Sequence, residues 1–337
     1  MEAVHGRKAS GPLSLMGALV MVLLLSIAAW NIELPYLAFS PGPVSDAADA
    51  IVVEEVPVYP PDGELLMLTV VSQDVNLFEA AIAGTDPTID LVRKEAVRRP
   101  GESDEQYRSR VLQQMEDSNF RAIAVALNYL GIEMVPVEVV IDDTVEGTHA
   151  AKLFRQGDTL TAVNGVPVSG VADIGAALEP LAPGDVIPVT VLRDGETVDL
   201  KVELAEREDQ PGVPMIGIVV GELTEPPFPI TIKSGDVGGP SAGMMHALAI
   251  IDSLTEGELT RGHVIAGTGT INFDGTVGPI GGIRQKVVAA EAAGAEFILV
   301  PEKNYQPALT AERQDIEIIP IKTINDAVEF LESLPAA

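Results

Sequence analysis

The 337-residue sequence predicts a multidomain chain of mixed α+β and α/β structure behind an N-terminal transmembrane helix. Three observations lead there. The 24 residues from Ala9 to Ile32 carry no charge, and a membrane span needs about 20 such residues. From about Gly131 to Leu204 short β-type runs alternate with tight turns, the pattern of a small β-rich domain. Further on, a glycine-rich turn enters an apolar helix at Ser241, and a second helix follows around Lys286. The boundaries read as 1–11 for a cytoplasmic N-terminus and 12–31 for the span. An extracytoplasmic region of strands and helices takes 32–130, the β-rich domain 131–206 and an α/β domain 212–337.

Composition narrows the functional classes. The net charge is −29 and is spread along the chain, so nucleic acid and anionic lipid surfaces should repel it. There is no cysteine, which excludes disulfides, thiolate metal sites and a cysteine nucleophile. No metal or cofactor is expected.

At the N-terminus, Leu13 to Ala29 is almost wholly apolar, with Arg7 and Lys8 before it and Glu33 after it. The positive-inside rule puts the N-terminus in the cytoplasm and everything after Asn31 outside, with Trp30 at the outer interface. A cleaved signal peptide is the rival, since Ser26-Ile27-Ala28 has a small-x-small pattern.

Pro35 to Pro61 is rich in proline and reads as extended, with a short strand near Ala50–Val53. Leu65–Ser72 reads as a buried strand and Phe78–Ala83 as the start of a helix. Arg93–Asp104 reads as an exposed loop. Gln106–Leu130 reads as an amphipathic helix broken near Asp117-Ser118-Asn119, its apolar stripe a packing face.

In the β-rich stretch, Gly157-Asp158-Thr159-Leu160 leads into Val163-Asn164-Gly165-Val166-Pro167-Val168, where an Asn-Gly turn joins two strands. A helix at Val171–Leu178 follows, then a hairpin of Val186–Leu192 and Thr197–Leu204 around Asp194-Gly195. This segment resembles a PDZ domain of the bacterial protease type. The resemblance implies binding of extended peptides by strand addition at a sheet edge. Gly131-Ile132-Glu133-Met134, ahead of a strand at Val137–Ile141, stand where a carboxylate-binding loop would lie. A structural or regulatory role for this domain stays open.

The chemistry concentrates in Gly238-Gly239-Pro240-Ser241-Ala242-Gly243 and Lys286. A serine hydroxyl needs a neighbouring base to become a nucleophile. A lysine can serve only if desolvation keeps its amine neutral. Ile283, Val287, Val288, Ala289 and Ala290 supply apolar surroundings for Lys286. Ser241 is expected in the first turn of a helix, where Pro240 costs nothing and free backbone amides can hold an oxyanion. Amides around Gly238, Gly239 and Ser241 are the candidates, and the glycines let backbone approach a substrate.

Four ordered motifs carry a second resemblance. Pro240-Ser241-Ala242-Gly243, Thr268-Gly269, Pro279-Ile280-Gly281-Gly282 followed by Lys286, and the strand Phe297–Pro301 followed by Glu302 make Gly212 to Leu334 similar to the proteolytic domain of Lon-type proteases. That family uses a Ser-Lys dyad, here Ser241 and Lys286. It implies that Thr268 bonds the lysine, that Asp236 supports the site, and that the chain assembles as a homo-oligomer, by family habit a hexamer. The acidic residue many Lon domains place after Thr-Gly is Thr270 here, and Asp236 lies five residues before Ser241 rather than three.

No Gly-x-x-x-x-Gly-Lys-[Ser/Thr] phosphate loop occurs in the sequence. The expected activity is therefore ATP-independent endopeptidase cleavage of unfolded or flexible extracytoplasmic proteins or peptides. Gly239-x-Ser241-x-Gly243 also fits the nucleophile elbow of α/β-hydrolases, but His246 and His263 leave no room for that fold's intervening strands. Both histidines read as ordinary packed or surface residues. The alternative from another class is a non-catalytic PDZ adaptor with a degenerate protease domain.

Overall fold

The computed structural model describes residues 16–17, 19–21, 23, 30–235 and 237–337. The expected span at 12–31 lies mostly outside these residues, and the few described there are helical and exposed. Among the described residues no helix is long and apolar enough to cross a membrane. The chain divides into two units, one of residues 131–227 and one formed by the segments on either side.

The first segment of the outer unit runs β1 (Glu33–Asp46), β2 (Ile51–Val53), β3 (Glu64–Asn76), α1 (Leu77–Ala83), β4 (Asp90–Arg93) and α2 (Asp104–Tyr129). The first part of the proline-rich stretch expected to be extended belongs to the long strand β1. It holds Pro41 because the pairing with β3 shifts register between Pro41 and Val44, the kind of irregularity at which a missing donor is tolerated. The break expected in α2 does not occur. Ser118 and Asn119 turn their side chains to other segments instead of competing for their own backbone. Ser103 caps the helix in a box with Gln106.

The inserted unit contains β5 (Val135–Thr144), β6 (Thr159–Val163), β7 (Val166–Pro167), α3 (Val171–Leu178), β8 (Val186–Arg193), β9 (Glu196–Glu203), β10 (Ala205–Arg207), β11 (Gln210–Met215) and β12 (Ile218–Glu225). Its sheet has the order β12-β5-β6-β8-β9, with β7 paired to β6. Both expected turns are present. Asn164-Gly165 (φ 51° and 78°) and Asp194-Gly195 (φ 52° and 81°) have the positive φ pair of a two-residue hairpin. Val139, Ile141, Leu160, Val189 and Val191 form the centre of its own core. The boundary lies after Pro227 rather than at 206–212, because β12 pairs along its whole length with β5.

The chain then returns to the outer unit with β13 (Ile230–Ile232), α4 (Gly243–Leu254), β14 (Val264–Gly267), β15 (Thr270–Ile271), β16 (Val277–Gly278), α5 (Ile283–Ala292), β17 (Phe297–Pro301), α6 (Tyr305–Ala308), β18 (Glu317–Ile321) and α7 (Ile324–Ser333). The six-stranded sheet reads β18-β17-β14-β3-β1-β4. Its β18, β17, β14 and β3 are parallel, while β1 pairs antiparallel with both β3 and β4 and is the one strand of this sheet that runs the other way. Residues 32–130 are thus not a region of their own, since β3 and β1 continue the sheet that β14 begins.

Successive strand residues point to opposite faces. Leu66 and Leu68 join Ile283, Val287 and Ala290 of α5 in one core. On the other face Gly267 lies against Met245 of α4. Gly243 to Asp252 of α4 are all buried, as suits a helix apolar around its whole circumference. It packs against α2 and α7.

Candidate active site

The loop after β13 ends in a 3₁₀ turn, Pro240–Ala242, which carries Ser241 just ahead of α4 rather than inside its first turn. Gly239 has φ 93° and ψ 152°, a conformation open to glycine at little cost. Gly238 has another constraint. A Cβ there would come within 2.8 Å of Val111 Cγ2 on α2, so its bareness serves packing against that helix.

Lys286 lies in the first turn of α5, which is preceded by an N-cap, Gly282, in the left-handed region (φ 67°). The lysine is only 2% exposed. Its Nζ is 2.8 Å from Ser241 Oγ and 2.8 Å from Thr268 Oγ1. Burial pushes its pKa down from 10.5 to about 7, because water no longer solvates the ammonium.

Thr268, fully buried, sets the direction of the proton. Its hydroxyl donates to the Ser241 carbonyl at 3.0 Å. With that hydrogen committed, Oγ1 can only accept from the lysine amine. An amine N–H therefore points at Thr268, and the lone pair of neutral Lys286 is left for the Ser241 hydroxyl. Gly269 N–H donates to the same carbonyl at 2.8 Å, so the backbone of Ser241 is held twice.

The structure thus brings Ser241, Lys286 and Thr268 together. It does not offer all three expected oxyanion amides. Gly239 N–H donates to Val111 C=O at 2.8 Å and is engaged. Ser241 N–H, in the first turn of the 3₁₀ segment, has no acceptor within that turn. Asp236 lies outside the described residues. His246 is buried with Nδ1 3.0 Å from Asn119 Oδ1, and His263 bridges Glu296 and the Pro335 carbonyl. Both histidines are occupied away from the serine.

A cleft of about 540 Å³ opens on Ser241 and Lys286. Met67 to Val71 of β3 form one wall, and Tyr107, Val111 and Met115 of α2 form another. The contribution of α2 was not legible in the sequence. Its only signal was a polar Ser-Asn pair inside an apolar helix, read above as a break.

In the inserted unit a groove of about 660 Å³ lies between Val171, Ile174 and Leu178 of α3 and the segment Met215 to Val220 entering β12. Among the described residues β12 is an edge strand, paired only with β5. Gly131, Ile132, Glu133 and Met134 precede β5 and do not line this groove. The loop at its end is Met215-Ile216-Gly217-Ile218, where Gly217 has φ 87° and packs on Thr148. A glycine between two isoleucines after the last hairpin was the signal for it.

Residues 230–332 match the family model of the Lon protease (S16) C-terminal proteolytic domain, and residues 128–204 match that of the PDZ domain. A Lon protease of Campylobacter concisus is 43% identical over 95 residues, which are 27% of this chain and 12% of that protein. Lon protease 2 of Bacillus subtilis is 34% identical over 93 residues, 28% of this chain and 16% of that protein. The chain thus spans under a fifth of the length of these relatives. Among solved structures, the PDZ domain of the SdrC-like protein of Listeria monocytogenes aligns with a TM-score of 0.24 at 17% identity, covering 26% of this chain and 93% of that one.

Proposed function

We propose that this chain, which pairs a PDZ domain with a proteolytic domain of the Lon type, is a serine endopeptidase working through a Ser241–Lys286 dyad. The observation that carries the reading is the buried amine of Lys286 at 2.8 Å from Ser241 Oγ, its pKa pushed down to about 7 by desolvation. Neutral Lys286 takes the Ser241 proton as the oxygen attacks a peptide carbonyl. The Ser241 amide stabilises the resulting oxyanion. The lysine, now an ammonium, gives its proton to the leaving amine, and water hydrolyses the acyl-enzyme by the reverse path.

The sequence has no phosphate-loop motif, which supports a reading in which the enzyme works without ATP on unfolded segments, loose tails or small peptides. The uncharged run at 9–32 tethers it to the membrane, with both domains outside the cytoplasm and the assembly a homo-oligomer, by family resemblance a hexamer. An extended peptide adds to the open edge of β12 beside α3, with Met215–Ile218 around its end.

The test uses the full chain in detergent with unfolded casein and no nucleotide. The parent should cleave, and Ser241→Ala and Lys286→Ala should each lose roughly 10³-fold or more in kcat. A parent that leaves casein intact at pH 7 and pH 9 would favour the adaptor.

A further inference from the structure

Helix α2 holds the loop before Ser241 at three points. Asn119 Nδ2 donates to Ser234 Oγ at 2.9 Å, where the loop begins. Val111 C=O accepts Gly239 N–H at 2.8 Å. Ser118 Oγ donates to the Pro240 carbonyl at 3.1 Å, one residue before the serine. These contacts come from residues 111–119, outside the 230–332 that match the proteolytic-domain model.

We propose that Ser118 and Asn119 are positioning residues for Ser241, fixing the two ends of the segment 234–240 so that Oγ stays within proton-transfer distance of Lys286. The inference rests on the protease reading above.

The loop needs such anchors. It contains Gly235, Gly238 and Gly239, whose freedom makes an unheld loop an ensemble. Among the described residues its own turn supplies one bond, from Val237 N–H to Ser234 C=O at 3.1 Å. That turn starts at Ser234, whose backbone follows Lys233, held by its N–H to Ala50 C=O at 2.7 Å, and whose hydroxyl accepts from Asn119.

The Asn119 amide has its orientation set from behind. His246, fully buried on α4, faces Oδ1 with Nδ1 at 3.0 Å. Burial pushes the imidazole down to about 4, so it is neutral near pH 7 with a single N–H. Nε2 has no partner. Placing the proton there would strand a buried donor and set two lone pairs against each other at Oδ1. The proton therefore sits on Nδ1 and donates to Oδ1, which turns Nδ2 toward Ser234.

The rest of the buried stripe of α2 is apolar, with Ala122, Ile123, Ala126 and Leu127. Ser118 is 2% exposed, and a buried hydroxyl in such a stripe is retained where its bond has a use.

Full-length Ser118→Ala, Asn119→Ala, Ser234→Ala and Ser234→Thr, and the Asn119→Ala/Ser234→Ala double variant, are compared with the parent on unfolded casein. The expected result is a fall in kcat of about 10- to 100-fold for the three alanine variants, the scale of a misplaced reacting group. KM should stay within about twofold and Tm within a few degrees. Ser234→Thr, which keeps the hydroxyl, should retain the parental rate. The double variant should be no slower than Asn119→Ala, since both remove one bond. Unchanged kcat, a loss that follows Tm, or additive losses would overturn the proposal. Amide hydrogen exchange separates this from failure of the protease reading. Even for a parent inert on casein, Asn119→Ala should speed exchange at 237–241 and leave α5 unchanged, and equal exchange there sinks the positioning role.

Discussion

Lys286 carries a stability cost that follows from its chemistry. Its folded pKa lies near 7 against 10.5 for the free side chain. Between those values the unfolded chain binds the extra proton, so stability rises with pH through this window, and the penalty is full below about pH 7. Lys286→Met, similar in volume and uncharged, should therefore raise Tm at pH 6.5 while abolishing casein cleavage. The gain is worth roughly 3–5 kcal/mol, read by denaturant melts, and it should shrink toward pH 10. In the parent, kcat/KM should climb about tenfold per pH unit below pH 7 and level off above it, as the amine loses its proton. Thr268→Val should lower kcat by roughly 10- to 100-fold, because the lysine lone pair is no longer aimed, while Thr268→Ser keeps most of the rate. A Thr268→Val variant with parental kcat would remove that residue from the proton path. Ser241 and Lys286 were legible in the sequence because each has its own local signature of glycine turn and apolar helix. The partners of that pair on α2 were not, since Ser118 and Pro240 stand 122 residues apart and no period links them.

Among the elements, α4 shows how a local pattern can be read correctly and still hide a charge. Its apolar run predicted a buried helix, and the helix is buried to its last turn. There Asp252, 4% exposed, accepts the Leu259 N–H at 2.8 Å. Burial, with Glu258 and Asp46 adding like charge, lifts its carboxyl from 3.8 to about 6. A carboxylate at a helix C-terminus is also on the wrong end of the dipole. The folded state holds the extra proton between these values, so stability falls as pH rises from about 4 to 6, and the penalty is full above 6. Asp252→Asn keeps an oxygen for Leu259 and should stabilise the protein at pH 7.5 by the order of 1–3 kcal/mol. The gap should close near pH 4, and a gap independent of pH in urea melts would refute this origin. The long strand β1 was less legible than α4. Its prolines masked a strand whose pairing is supplied by β3 and β4, both distant in sequence.

At the scale of the molecule, the sequence motifs marked where the chemistry lies but not how much chain is needed to fold it. The α/β domain read as starting at 212 lacks β3, which pairs with β14 in parallel from Val264 to Gly267. It also lacks Leu66 and Leu68, which complete the core under α5, and α2, which walls the cleft. The hydrophobic pattern of residues 228–337 is self-consistent, so nothing local announced the missing half. A fragment of residues 228–337 would leave one edge of β14 unpaired and expose the face of α5 that carries Ile283 and Val287. It should be expressed as an aggregation-prone, poorly folded chain, inert on casein. Residues 131–227, with their own core and a closed set of pairings, should fold alone with a cooperative melt. Co-expression of 30–130 with 228–337 should restore a folded outer unit, read by circular dichroism and amide protection on β14. A well-folded 228–337 would show that the sheet tolerates loss of β3, and the division into an inserted and an outer unit would then describe contact and not folding.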